Sequence, residues 1–253
     1  MKIILKIFPR NFLIRISYYL VPILKIVYSG NKFIDPIDGR GYSKFLSYGY
    51  AKLRKNALSP GTLSLERHRL LWLYLNNSTN LLSSKLKVLH IAPEQIFYRK
   101  FKKNIYWDYT TFDLKSPLAD VTGDITNMSF KNDTFDLIIC NHVLEHITDD
   151  RTAMSEIYRV LKKGGLGILQ VPIDKDLEKT YEDKTLVSKK QRAKHFGQYD
   201  HVRVYGVDYK DKLENTGFIV NLLDYTNQIE DNLISKYGLI KGELIPIVKK
   251  SIG

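Results

Sequence analysis

The stretch from Phe135 to Pro172 limits what this 253-residue chain can fold into more than any other. Phe135-Asp136-Leu137-Ile138-Ile139-Cys140 reads as a buried strand, and a polar turn follows. Next comes an amphipathic helix with Met154, Ile157, Tyr158 and Leu161 at i, i+3, i+4 and i+7. Asp149 or Asp150 is placed to cap its start, and Gly164-Gly165 to stop it. A second apolar strand, Gly167 to Val171, closes the unit. Continuous apolar strands need cover on both faces, so strand, helix and strand in this order form a crossover unit of a parallel sheet.

The same alternation extends from Lys87 onward. Further strands are expected at Lys87 to Ala92, Tyr109 to Leu114, Gly217 to Leu223 and Glu243 to Val248. Before them, Ser64 is placed to cap a helix running to Leu75. Such a pattern predicts an α/β fold with helices on both faces of the sheet.

The wording of the central unit carries a family likeness. Asp136-Leu137-Ile138, Val143-Leu144-Glu145-His146 and Arg159-Val160-Leu161-Lys162-Lys163-Gly164-Gly165 closely resemble the fourth and fifth motifs of class I S-adenosylmethionine-dependent methyltransferases, of the type 11-like kind. The resemblance implies a Rossmann-like, seven-stranded, mostly parallel sheet with a last antiparallel strand, occupying residues 85–253. Proteins resembling this one often carry a small zinc-ribbon-like module before that domain, with two Cys-x2-Cys pairs. The matching positions here are Asp35-Pro36-Ile37-Asp38-Gly39 and Ser59-Pro60-Gly61-Thr62, and every thiolate is missing. Ser and Thr are poor zinc ligands. A metal-free module over 31–84, packed around Phe45, Tyr48 and Tyr50, is therefore expected.

Residues 1–30 form a third region. Ile3, Ile4, Leu5, Ile7, Phe8, Phe12, Leu13, Ile14 and Ile16 alternate with Lys2, Lys6, Arg10 and Arg15. The longest apolar run, Ile16 to Leu24, contains Pro22 and falls short of the roughly 20 residues of a spanning helix. Two readings stay open, a basic helix lying on an anionic membrane through residues 1–28 and a helix packed on the catalytic domain. With 44% hydrophobic residues the chain can bury one sizeable core, and the formal charge of +12 favours acidic partners. The single cysteine, Cys140, ends a buried strand, so no disulfide framework exists. A cytoplasmic protein is expected, membrane-associated on the first of these two readings.

In an open parallel sheet the ligand crevice lies at the carboxyl ends of the strands. After the first strand stands His90-Ile91-Ala92-Pro93-Glu94-Gln95, with no glycine, and Glu94 would repel a pyrophosphate. That disfavours dinucleotides. S-adenosylmethionine carries an ammonium and a sulfonium and no phosphate, so His90, Ala92 and Glu94 suit it as a cofactor turn, with Glu94 pairing the cation. By resemblance, Asp113 accepts the ribose hydroxyls, Asp124 and Ile125 hold the adenine, and Asn141 and His142 floor the methionine moiety. Asp113 as a strand-end helix cap and Asp124 as a plain turn residue are the bland alternatives. His142 and His146, four apart, lack an obvious third partner, so no metal is expected.

Methyl transfer is an in-line displacement that needs an aligned nucleophile and a place for its proton. Arg192 to Gly206 concentrates two histidines, two tyrosines and an aspartate in one segment, at the place where related enzymes keep a cover over the substrate. His201 is the expected general base, with Asp200 and His195 beside it. Its alternative is a structural tie between cover and sheet. Arg192, Tyr199 and Arg203 are expected to hold an acidic acceptor. The expected activity is O-methylation of a small-molecule or glycan acceptor. RNA methylation competes on charge, yet no Asn-Pro-Pro-aromatic motif, suitable catalytic cysteine or RNA module is present. A noncatalytic, cofactor-binding protein is the third reading.

Overall fold

The computed structural model describes residues 10–49 and 53–252. Two compact units share the chain: residues 1–80 with 224–243, and residues 81–223 with 244–253.

The second unit is a seven-stranded sheet in the order β12-β13-β9-β8-β5-β6-β7. Its members are β5 (Leu86–Ile91), β6 (Trp107–Asp113), β7 (Val121–Thr122), β8 (Phe135–Cys140), β9 (Leu161–Ile168), β12 (Phe218–Leu223) and β13 (Ile245–Lys250). The pairs among β5 to β9 are parallel, whereas β13 runs antiparallel to both β12 and β9. This is the expected Rossmann-like architecture. The chain reverses direction in the sheet order around β5, which places the crevice at the carboxyl ends of β5, β6 and β8. Leu137, Ile138, Ile139 and Cys140 are buried because β8 lies mid-sheet.

The connecting helices are α3 (Gln95–Phe101), α4 (Asp150–Val160), α5 (Lys189–His195) and α6 (Tyr209–Glu214). Asp149 caps α4, its carboxylate accepting the Thr152 amide at 3.0 Å. On α4, Ala153, Met154, Ile157 and Val160 are buried. The stop at Gly164-Gly165 is corrected: α4 ends at Val160 and both glycines fall inside β9. Between the Phe135–Leu161 and Leu137–Leu166 pairings, β8 advances two residues and β9 five. Gly164 at φ +75° makes this bulge, and a Cβ on Gly165 would lie 2.9 Å from the Lys162 carbonyl oxygen. The two-residue β7 had no strand signature, since its support is the edge pairing of Val121 and Thr122 with β6.

The first unit contains α1 (Arg10–Val27), α2 (Glu66–Asn77), α7 (Asp231–Lys236) and two antiparallel pairs. The pairs are β1 (Ser29–Asp35) with β2 (Arg40–Tyr42), and β3 (Leu46–Tyr48) with β4 (Arg54–Leu58). Among the described residues no helix is long and apolar enough to cross a membrane. The two turns expected from the lost Cys pairs meet in one hydrogen-bond cluster. Fully buried Asp35 accepts the Ile37 amide at 2.9 Å, the Ser64 hydroxyl at 3.1 Å and the Thr62 hydroxyl. Asp38 accepts the Tyr42 hydroxyl at 2.8 Å. Ser64 therefore does not cap α2 as expected: it serves Asp35, while His68 Nδ1 accepts the Leu65 amide at 3.1 Å. Phe45 packs with Phe33 and Tyr42, and Tyr48 beside Ala57, Leu58 and Leu65; Tyr50 lies outside the described residues.

Residues 224–243 belong to this unit, although the sequence reading placed them in 85–253. Arg69 is the physical reason. Its buried guanidinium donates to the carbonyls of Tyr237 (2.6 Å), Gly238 (2.7 Å), Ser64 (2.8 Å) and Ala57 (3.1 Å), and covers the Phe45 ring at 4.6 Å. Burial lowers its pKa to about 10.

Candidate cofactor and acceptor site

At the carboxyl ends of β5, β6 and β7 lies a cavity of about 390 Å³, in the size range of small-molecule and cofactor sites. Ile91, Ala92, Phe112, Asp113, Asp124, Ile125 and Val143 line it on one side, and His146 to Asp149 on another. Its apolar walls come from strand ends that continue the core. Ala92 sits at φ +49° and its amide donates to the Phe112 carbonyl at 2.7 Å, which lets the chain turn away from the crevice. Gly123 keeps the cavity open, since a Cβ there would lie 2.9 Å from the Phe112 ring.

Two carboxylates reach this cavity half-used. Asp113 Oδ1 accepts the amides of Lys115 and Ser116, both at 2.7 Å. Asp124 Oδ1 accepts the Thr126 amide and hydroxyl, both at 2.8 Å, which hold its pKa below the usual carboxylate range. Each fixes its own turn with Oδ1, and among the described residues Oδ2 makes no hydrogen bond in either case. An acceptor-only oxygen held in place suits a diol or an amine donor. Two buried amides lie near the same sheet edge, Asn141 after β8 and Gln170 after β9, each 3% exposed. Neither Nδ2 nor Oδ1 of Asn141, nor Oε1 of Gln170, has a protein partner. Buried amide atoms of this kind call for a polar ligand or water. At the cavity itself, the diol and adenine amine of S-adenosylmethionine match the open oxygens of Asp113 and Asp124, so the residues lining it fit that cofactor.

Four expected cofactor residues, Ala92, Asp113, Asp124 and Ile125, line the cavity; the other four do not. Buried His90 bonds the Tyr109 hydroxyl at 2.7 Å and Glu94 Oε2 at 2.9 Å. His142 adopts φ +54°, donates its amide to the Gln170 carbonyl at 2.7 Å and pairs Nδ1 with Glu145 at 3.1 Å. The wall formed by Val143 and Ile147 to Asp149 was missed. Its signal is the turn that continues the Val-Leu-Glu-His motif.

Beside the cavity a second cluster forms. Glu145, His146 and His201 bring a carboxylate oxygen and two ring nitrogens within 4.8 Å of one another. The His146 and His201 rings meet edge-to-face at 4.7 Å, and His146 Nδ1 lies 3.2 Å from the Asp200 carbonyl and 3.7 Å from its carboxylate. Burial pushes the His201 pKa down, partly opposed by the Glu145 charge. Burial pushes the Glu145 carboxyl up, but the His142 hydrogen bond and the fields of His142 and His146 win and leave it low. A neutral imidazole thus stands next to an ionised carboxylate.

The expected cover is partly ordered into α5, capped by Ser188 and Gln191, and a short antiparallel pair, β10 (Tyr181–Glu182) with β11 (Arg203–Val204). His195 is not brought to His201; its Nδ1 lies 3.3 Å from the Tyr181 hydroxyl. Arg192 donates to the Leu186 carbonyl at 3.0 Å, and half-exposed Tyr199 lies under Lys189 Nζ at 5.8 Å. Arg203 is corrected outright. It is 3% exposed, and its guanidinium donates to the carbonyls of Leu144, Ile147 and Thr148 and to Glu182. No face of it is left for an acceptor. It clamps the turn that forms the cavity wall.

The family model described as "Methyltransferase domain" matches residues 81–169, which span β5 to β9 and the whole cavity lining. By that match, residues 81–169 carry a methyltransferase domain. Over 108 residues the chain is 31% identical to the ubiquinone/menaquinone biosynthesis C-methyltransferase UbiE of a Ruegeria species, covering 34% of this chain and 43% of that protein. Over 43 residues it is 49% identical to the demethylmenaquinone methyltransferase of Streptomyces avermitilis, covering 17% and 19%. The chain thus spans less than half the length of these curated relatives. Among solved structures, the [4+2]-cyclase SpnF superposes with a TM-score of 0.52 at 14% identity, over 93% of this chain and 95% of that one. The fold of the methyltransferase domain therefore does not by itself fix the reaction.

Proposed function

We propose that this protein transfers a methyl group from S-adenosylmethionine to an oxygen of a small-molecule or glycan acceptor, with His201 as general base. The observation that supports this reading most is the juxtaposition of the cavity, with its half-used Asp113 and Asp124, and the Glu145–His146–His201 cluster whose His146 forms part of the cavity wall. The cofactor supplies an electrophilic methyl carbon on a sulfonium. Asp113 and Asp124 hold the nucleoside end, and the apolar walls exclude water from the reacting end. His201 would take the acceptor's hydroxyl proton on a ring nitrogen as oxygen bonds to the methyl carbon and the carbon–sulfur bond breaks, its electron pair staying on the departing neutral thioether. Its depressed pKa keeps that nitrogen unprotonated at neutral pH. Ionised Glu145 stabilises the imidazolium so formed, and Asp200 orients His146.

A second reading is favoured by the name of one relative, a C-methyltransferase of ubiquinone/menaquinone biosynthesis. The same base would act on a ring hydroxyl and make the adjacent carbon nucleophilic. The deciding experiment supplies cofactor with an isotope-labelled methyl and a panel of glycans, phenols and quinols. Label on oxygen supports the first reading and label on carbon the second. Salt-sensitive labelling of RNA alone would overturn both. Turnover unchanged by His201→Ala would remove the base assignment.

A further inference from the structure

The helix α1 leaves an apolar stripe uncovered. Tyr19, Leu20, Ile23, Ile26 and Val27 are 78%, 48%, 57%, 80% and 65% exposed. At 100° per residue these five positions fall within about 120° of one helix face. Lys25 lies on the opposite side, where its ammonium bridges Asp38 at 3.0 Å. Tyr28, just beyond the helix, packs on the Phe33, Tyr42 and Phe45 cluster. The inner side of α1 is thus anchored to its own unit, and the outer side presents aliphatic groups to water. Single exposed apolar residues need no explanation; a contiguous stripe does.

Charge decides what the stripe meets. Residues 1–34 contain Lys2, Lys6, Arg10, Arg15, Lys25 and Lys32 and no carboxylate. A second copy of this chain would set a basic, carboxylate-free segment against its own like. An anionic lipid surface accepts both the charge and the aliphatic groups, and Tyr19 is suited to the headgroup boundary. We propose that α1 docks this protein on an anionic phospholipid surface, with Tyr19, Leu20, Ile23, Ile26 and Val27 entering the interface. The stripe is too narrow and α1 too polar to span, so docking is peripheral and reversible. The inference stands independently of the proposed chemistry, because none of its residues lines the cavity.

The test is flotation of the full chain with vesicles of phosphatidylcholine alone or with about one-third phosphatidylglycerol. Binding is expected only to the anionic vesicles, falling as salt shortens the screening length below about 10 Å. The variant Ile23→Gln with Ile26→Gln keeps the charge and is expected to lower partitioning at least about tenfold, since each removed aliphatic side chain withdraws a contribution of that order. A second pair, Tyr19→Ser with Val27→Gln, guards against misfolding, and circular dichroism reports on both. Absent binding to either vesicle, or equal binding by both variants, overturns the proposal. A wild-type dimer that the variants dissociate, without vesicle binding, assigns the stripe to a second copy and overturns it as well.

Discussion

Arg203 offers the sharpest perturbation, because the sequence assigned it to the acceptor and the structure makes it a clamp. Its Nη1 donates to the Leu144 and Ile147 carbonyls, Nη2 to Thr148 at 3.0 Å and Nε to Glu182 at 3.1 Å, with the Asp150 carboxylate at 3.5 Å. Arg203→Met keeps the aliphatic stem and removes every donor. Each buried carbonyl left unpaired costs about 1–3 kcal/mol, and Asp150 loses a cation inside the protein. These terms are not additive. The loss of one partner of a buried ionic group sets the expected total at about 3–5 kcal/mol. Arg203→Lys keeps the charge but cannot fork to three carbonyls, so it recovers only part of the loss. Urea unfolding followed by circular dichroism reads the stability directly. Cofactor affinity should fall with it, because Ile147 and Thr148 line the cavity. Unchanged stability with a weakened acceptor KM would refute the clamp and restore the acceptor role.

Four further outcomes are expected. Asp124→Ala should weaken S-adenosylmethionine about tenfold or more by calorimetry, the value of one or two hydrogen bonds to a charged acceptor. Gly123→Ala would set a Cβ 2.9 Å from the Phe112 ring, and should displace it and cost about 1–3 kcal/mol of stability or cofactor binding, read by melting with and without cofactor. The pH dependence of kcat/KM should rise through a pKa below the ordinary histidine value, because burial favours the neutral, basic form of His201; the same depression means that stability is lost as pH falls below about 6.5, where the unfolded histidine protonates first. A rate with its acid limb above that value would contradict the base assignment. Asp35→Ala should lower the stability of the first unit by about 2–4 kcal/mol, since it strands the Ile37 amide and the Thr62 and Ser64 hydroxyls, and differential scanning calorimetry resolves that transition.

The sheet was legible in the sequence wherever apolar periodicity carried it. β5, β6, β8, β12 and the antiparallel β13 all fall close to their expected places. The failures have local causes. The bulge at Gly164 uses a positive φ inside a strand, where the sequence suggested a helix stop. β7 is too short for any period. Within the site, Ala92, Asp113, Asp124 and Ile125 were legible because strand ends in a parallel sheet fix their positions. Arg203 and His195 were misplaced because proximity in sequence says nothing about which partner satisfies a polar group. The meeting of His146 with His201, more than fifty residues apart, is a product of the fold and of Arg203 holding the cover against the turn.

The central claim is that the cavity at the ends of β5, β6 and β7 holds S-adenosylmethionine, and calorimetric titration with the cofactor and its demethylated product tests it most directly, with Asp113→Ala as the comparison. The account predicts saturable one-to-one binding that the substitution weakens at least about tenfold. Absent binding, or binding untouched by the loss of Asp113, would contradict it.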